Sequence, residues 1–289
     1  MDIRECEHLS GKQVLALNFI NSDGSWLFRK FYRSGLRSHI FEVVSKEDIE
    51  KESKGELIDG IRLFPRAKPQ KMLRILRSRF QDKYAVFHEI NKYNLLLDCL
   101  GPDLIACSDE FIVDYTGTGR HEIVLCGLQE YVEGDILDPW RIYGTHYLSH
   151  LFQAKTDSRS RTNALINKAR NSICRFVDNI HSMILRKGFI PDLAGIGNLI
   201  ITSNGNLKLV DINNIVEIHL DNTIRMDDRG YPSCDVSVDA LSILEKKILG
   251  RSIKKNDPIY ATFLQSDRKK RVKELEKRFY KRLTPQSSQ

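Results

Sequence analysis

Three oxygen-bearing side chains, Asp192, Asn198 and Asp211, fall within one short stretch, GFIPDLAGIGNLIITSNGNLKLVDINNI, from Gly188 to Ile215. Asp192 follows Ile190-Pro191 in a glycine-bearing loop. Asn198 opens the β-branched run Leu199 to Thr202, and a second short strand from Leu207 delivers Asp211 at its end. Between the strands, Ser203-Asn204-Gly205-Asn206 supplies residues that tolerate positive φ, so the two runs read as a hairpin. A loop, a hairpin and an acid at the hairpin's end can bring the three side chains to one place. Hard oxygen donors of this kind suit a divalent cation and phosphate chemistry.

The elements that must position these residues read as follows. A helix expected over about 163 to 187, with Ile173, Phe176, Val177, Ile180, Ile184 and Leu185 as its buried face, ends at Gly188 and feeds the Asp192 loop. Downstream, Ile215 to Leu220 reads as a strand, Asp221 to Pro232 as a charged loop, and Ser237 to Leu249 as a helix. Upstream, Gln13 to Phe19 and Ser25 to Tyr32 read as strands joined by the hairpin signal Asn21-Ser22-Asp23-Gly24. Ser45 to Lys54 reads as a loop or short helix, and Ile61 to Phe64 as a strand stopped by Pro65. Met72, Leu73, Leu76 and Phe80 suggest a helix beginning after Pro69, which continues or restarts near Asp82 and stops at Gly101-Pro102. Leu104 to Ala106, Glu110 to Tyr115 and Glu122 to Val132 read as strands, with Thr116-Gly117-Thr118-Gly119 as a turn.

The 188–215 segment resembles the catalytic segment of the protein-kinase-like superfamily. There an Asp orients the attacking hydroxyl, an Asn binds metal, and a strand-end Asp is the main Mg²⁺ ligand. The resemblance therefore implies Asp192 as catalytic base and Asn198 and Asp211 as metal ligands. The Asp–Asn gap is six residues where the family has five, Ile212-Asn213 replaces Phe-Gly, and no His-Arg precedes Asp192. Pro191-Asp192-Leu193 with Gly197-Asn198-Leu199 looks closest to the atypical bacterial and small-molecule branch, such as lipopolysaccharide kinases.

The same resemblance implies an α+β, bilobal fold: an antiparallel-sheet small lobe over residues 1–132, a hinge near 130–134, and a mainly helical large lobe over 133–289. It implies ATP and Mg²⁺ as cofactors. Lys30 is the first candidate for the phosphate-pairing Lys, with Lys68 and Lys71 as alternatives, and Glu89 its partner on a helix. The backbone of Glu130, Tyr131 and Val132 would bind adenine. In the helix after the charged loop, Asp239, or alternatively Asp235, would brace the catalytic loop. His146 and His150 have a zinc-compatible spacing, but Tyr147 stands where a metalloprotease needs Glu, so structural histidines are expected.

Composition bounds these readings. With 41% hydrophobic and 29% charged residues, the 289-residue chain has the balance of a globular protein. Its opening, MDIRECEHLSGK, lacks the apolar core of a secretory signal, and no run approaches the roughly 18 apolar residues of a spanning helix. Six scattered cysteines without a Cys-x-x-Cys pair suit a reducing cytoplasm. The net charge of +7 is concentrated in two segments, Arg62 to Lys83 at +7 and Asp267 to Leu283 at +6. The second, a basic C-terminal helix over 267–283, carries Val272, Leu275, Phe279 and Leu283 as an apolar stripe, expected to dock on the large lobe. Residues 284–289 read as disordered.

The expected activity is phosphoryl transfer from ATP to a hydroxyl of a small molecule, sugar or lipopolysaccharide-core-type glycan. A pseudokinase that binds nucleotide or a partner without transfer is one alternative. A protein using its basic helices on nucleic acid or an anionic membrane surface is another. The basic stretches lack interleaved aromatic platforms, so nucleic acid is not the expected partner. A cytoplasmic location follows, membrane-peripheral if the C-terminal helix meets an anionic surface.

Overall fold

The computed structural model describes residues 2–283 apart from 22, 33–36, 145, 154–157 and 255. The turn at 21–24 includes one of the undescribed positions, and 284–289 lie outside the described residues. The protein is α+β. Its chain forms two compact units, one of residues up to Lys92 together with Ala106–Tyr131, the other of Tyr93–Ile105 together with the chain from Val132 onward. The chain crosses between the units at 92/93, 105/106 and 131/132, so 93–105 belongs with the second unit. There Leu209 N–H bonds Leu104 O at 2.8 Å, and Ile105 bridges Leu209.

The first unit comprises α1 (Gly11–Leu15), β1 (Trp26–Lys30), β2 (Ser38–Ser45), α2 (Lys46–Lys54), β3 (Glu56–Ile58), β4 (Ile61–Leu63), β5 (Lys71–Leu76), the first part of α3 (Lys83–Leu100), β6 (Ser108–Tyr115) and β7 (Glu122–Glu130). Five strands form an antiparallel sheet in the order β1-β2-β5-β7-β6, while β3 and β4 make a separate hairpin. Strand alternation sends Phe41, Leu73, Ile75 and Cys126 to one face, where Ile3, Leu9 and Val14 of the amino-terminal segment cover them. Leu76 and Leu125 pack instead with Val86 of α3.

Two expected elements change type. Residues 13–19 begin inside α1, because Ser10 and Gln13 form a reciprocal capping box that starts a helix at Gly11. The segment after Pro69 is β5, buried on both faces from Met72 to Leu76. A strand covered on both sides reads as a continuous apolar run, and a short run of that kind also fits a helical period. Asp82 does start α3, its carboxylate accepting Ala85 N–H at 2.9 Å.

The second unit holds the end of α3, β8 (Gly134–Ile136), a 3₁₀ turn (Pro139–Arg141), α4 (Tyr147–Gln153), α5 (Arg159–Lys187), β9 (Phe189–Pro191), β10 (Leu199–Thr202), β11 (Leu207–Leu209), β12 (Ile215–Glu217), α6 (Ser233–Ile243), which runs on as a π-helical stretch (Leu244–Leu249), α7 (Pro258–Phe263) and α8 (Ser266–Leu283). Strands β11, β10 and β8 form one small sheet, and β12 pairs with β9. The long helix α5 buries Ile173, Phe176, Val177, Ile180 and Ile184, but Leu185 is 54% exposed; Met183 is buried instead. Helix α8 buries Val272 and Phe279 and leaves Leu283 exposed. Val272 packs with Ala194 and Val236, and burying two such side chains is worth about 1.5–3 kcal/mol each. Among the described residues, no helix is long and apolar enough to cross a membrane.

Candidate functional site

Helix α5 stops at Gly188, whose left-handed backbone (φ 71°) returns its N–H to Ile184 O at 3.1 Å. The chain leaves as β9, which pairs antiparallel with β12 so that Pro191 lies opposite Ile215. One residue further, Asp192 N–H donates to Asn214 O at 2.8 Å, which fixes the start of the loop. Gly205 (φ 81°) allows the tight β10–β11 turn, as its sequence implied. At the hairpin's open end, Val210 N–H bonds Asn198 O at 2.8 Å and so sets Asn198 beside the strand that carries Asp211.

The loop is braced from several elements. Asn198 Nδ2 donates to Asp192 O at 3.0 Å, and Gly195 leaves room for this amide: a Cβ at 195 would lie 2.6 Å from it. Leu193 N–H donates to Ser237 Oγ of α6 at 3.0 Å, and Trp140 Nε1 donates to Ala194 O at 3.1 Å. The Asp192 carboxylate is itself held at both oxygens. Oδ1 accepts Ala194 N–H at 2.8 Å, and Oδ2 accepts Asn214 Nδ2 at 3.1 Å.

Desolvation pushes the Asp192 carboxyl above its ordinary value, and the negative charge of Asp211 pushes it further; the hydrogen bonds from Ala194 and Asn214 oppose both. Two acids close enough to feel one another are the electrostatic setting in which a bound cation lowers the energy most. Because its Nδ2 is committed to Asp192 O, Asn198 has its Oδ1 left as a donor suited to a hard cation. The Asp211 carboxylate and the Asn198 amide oxygen are hard donors of the kind a cation such as Mg²⁺ takes alongside several waters of its own. Among the described residues, no group of three or more His, Cys, Asp and Glu side chains could hold a metal, so the pair His146 and His150 has no third ligand of that kind.

The bracing of the loop differs from expectation. Neither Asp239 nor Asp235 contacts the loop backbone by a hydrogen bond; Asp239 pairs with Lys269 at 2.7 Å, and Asp235 with Arg268 at 2.5 Å. Ser237 does the bracing. On a helix, positions 235 and 239 lie about 40° apart while 237 sits about 160–200° from either, so the phase of α6 turns both acids toward α8 and the hydroxyl toward the loop. Asn214, Ser237 and Trp140 were not singled out from the sequence. Only Asn214 had a local signal, its position directly before a β-branched strand and three residues after Asp211.

In the first unit the expected Lys–Glu pair does not form. Lys30 ends the edge strand β1 opposite Phe41, on the face covered by the amino-terminal segment, and its Nζ lies 3.2 Å from His8 Nδ1. Helix α3 packs on the other face, and Glu89 pairs with Lys92 at 3.2 Å. Of the alternatives, Lys71 opens β5, the third strand of the sheet in chain order, while Lys68 precedes it. The same strand carries the buried Arg74, which donates to Ser108 and ion-pairs with Glu110, while its Nε and Nη1 make no hydrogen bond. Gly127 leaves space for this cluster.

Strand β7 ends at Glu130, followed by Tyr131 and the buried Val132, and the division between the units falls between those two residues. Glu130 N–H is committed to Cys107 O at 2.7 Å, so that group is engaged within the first unit. No family model matches the chain, and no curated protein matches it.

Proposed function

We propose that this chain is an ATP- and Mg²⁺-dependent phosphotransferase of bilobal, protein-kinase-like fold, acting on a hydroxyl of a small-molecule, sugar or lipopolysaccharide-core-type acceptor. The observation that carries the reading is the acid pair. Asp192 and Asp211 approach closely enough for one charge to raise the pKa of the other, and the Asn198 amide is held beside them. Magnesium bound there would supply positive charge to phosphate oxygens. Asp211 and Asn198 would hold it. Asp192, fixed at both oxygens, would align the acceptor hydroxyl and accept its proton, so the protein contributes chiefly position and charge. Adenine would lie against the main chain at Tyr131 and Val132, Glu130 N–H being already in use. Lys71, which opens β5, and Lys68 just before it are the alternatives to Lys30 for the phosphates.

One observation favours the pseudokinase reading: Lys30 and Glu89 are engaged elsewhere, so the pair that orients phosphates in active kinases is not assembled from them. Asp192→Asn separates the two readings. Transfer, or ATP hydrolysis without acceptor, should fall about 10²-fold or more while Mg²⁺-ATP affinity stays nearly unchanged. Equal losses of affinity and turnover would make Asp192 structural. A wild-type protein that binds Mg²⁺-ATP and turns over nothing would be a pseudokinase.

A further inference from the structure

Asn214 stands at the junction between Asp211-Ile212-Asn213 and β12, and it is only 4% exposed. It grips Asp192 twice. Its main-chain oxygen accepts the Asp192 N–H at 2.8 Å, and its side-chain Nδ2 donates to Asp192 Oδ2 at 3.1 Å. The first contact fixes the Cα of Asp192; the second fixes the rotation of its carboxyl group. The other donors to that carboxylate, the main-chain N–H groups of Ala194, at 2.8 Å, and Gly195, belong to the same loop and move with it. Asn214 instead belongs to the segment that carries Asp211. From these contacts we infer that Asn214 is a positioning residue, which sets the Asp192 carboxylate in place relative to that of Asp211. The inference rests on the phosphotransferase reading above.

The chemistry requires an amide at this position. Asp at 214 would remove the N–H donor and add a third negative charge beside two acids, and Ala would leave Oδ2 free to turn. A neutral donor holds the orientation without consuming the negative charge that a cation would meet. In that respect Asn214 resembles the outer partners that orient metal ligands, whose loss costs about 10–100-fold in activity. A residue serving only to satisfy buried polar groups would lower stability and leave the catalytic effect of Asp192 untouched.

The experiment is a double-mutant cycle on the full chain, with Asn214→Ala, Asn214→Ser and Asn214→Asp made alone and together with Asp192→Asn. The probes are Mg²⁺-ATP turnover and the melting temperature. With Asp192 present, Asn214→Ala should lower kcat about tenfold or more and leave KM for Mg²⁺-ATP within about twofold. Asn214→Ser, which keeps a donor, should recover part of the loss, and Asn214→Asp should be the worst of the three. In the Asp192→Asn background, Asn214→Ala should cost no further turnover. An equal loss in both backgrounds, or full turnover in Asn214→Ala, would overturn the inference.

Should the wild type turn over nothing, the phosphotransferase reading fails by itself, and thermal unfolding then decides whether the clamp exists. A melting shift for Asn214→Ala that disappears in an Asp192→Ala background would keep it. The same shift in both backgrounds would remove it.

Discussion

Two carboxylates of the second unit, the half-buried Asp192 and the buried Asp235, show what a counter-charge does. Burial is the largest influence on both and pushes both above the ordinary carboxylate value. At Asp235 a guanidinium opposes that push: Arg268 Nε and Nη2 contact its two oxygens at 2.5 and 3.2 Å. Arg268 also donates to Asp221 O and Thr223 O, at 2.5 and 3.0 Å, so this pair ties α8 to α6 and to the loop before it. Asp192 has the opposite company. Its donors are neutral, and its charged neighbour is another acid, Asp211. One carboxylate is finished by the fold; the other is held in place and left electrostatically incomplete. The chain thus buries an Asp–Arg pair on α6, the helix whose Ser237 holds the Asp192 loop, yet leaves Asp192 within reach of a second acid's charge.

This contrast can be broken from either side. The largest effect belongs to the completed pair. Arg268→Met should destabilise the protein by about 3–5 kcal/mol in denaturant unfolding, because it strands a buried carboxylate. Adding Asp235→Leu to it should restore much of that stability, and failure to do so would mean that Arg268 acts mainly through Asp221 and Thr223. A smaller effect is expected at the brace of the Asp192 loop. Ser237→Ala leaves Leu193 N–H without its acceptor and should cost about 1–3 kcal/mol. The smallest belongs to the incomplete pair. Asp211→Asn removes like-charge repulsion, so without metal it should change stability by less than about 1 kcal/mol, in the stabilising direction.

The part of the fold legible in the sequence is the part whose signals are local. Gly188 as helix cap, Gly205 in the turn, the β10 and β11 runs and the strand-end position of Asp211 all depend on residues a few places apart. They appear where the spacing predicts them. The failures come from information that a local pattern does not carry. Whether Lys30 and Glu89 meet depends on which sheet face each element covers, and that is set by strand register and by the amino-terminal segment lying over one face. β5 looked helical because its burial on both sides erases the alternation that marks a strand. The brace at Ser237 was hidden by the phase of α6, which no residue within the helix reveals until α8 takes up the acids at 235 and 239.

The central claim is the proposal that Asp211 and Asn198, beside Asp192, would bind magnesium together with nucleotide. The most direct test is calorimetric titration of Mg²⁺ with a non-hydrolysable ATP analogue into the wild type and into Asp211→Asn. Saturable Mg²⁺-dependent nucleotide binding in the wild type, lost in Asp211→Asn while that variant melts like the metal-free wild type, is the predicted result. Nucleotide binding that is indifferent to Mg²⁺, or that survives Asp211→Asn unchanged, would contradict it.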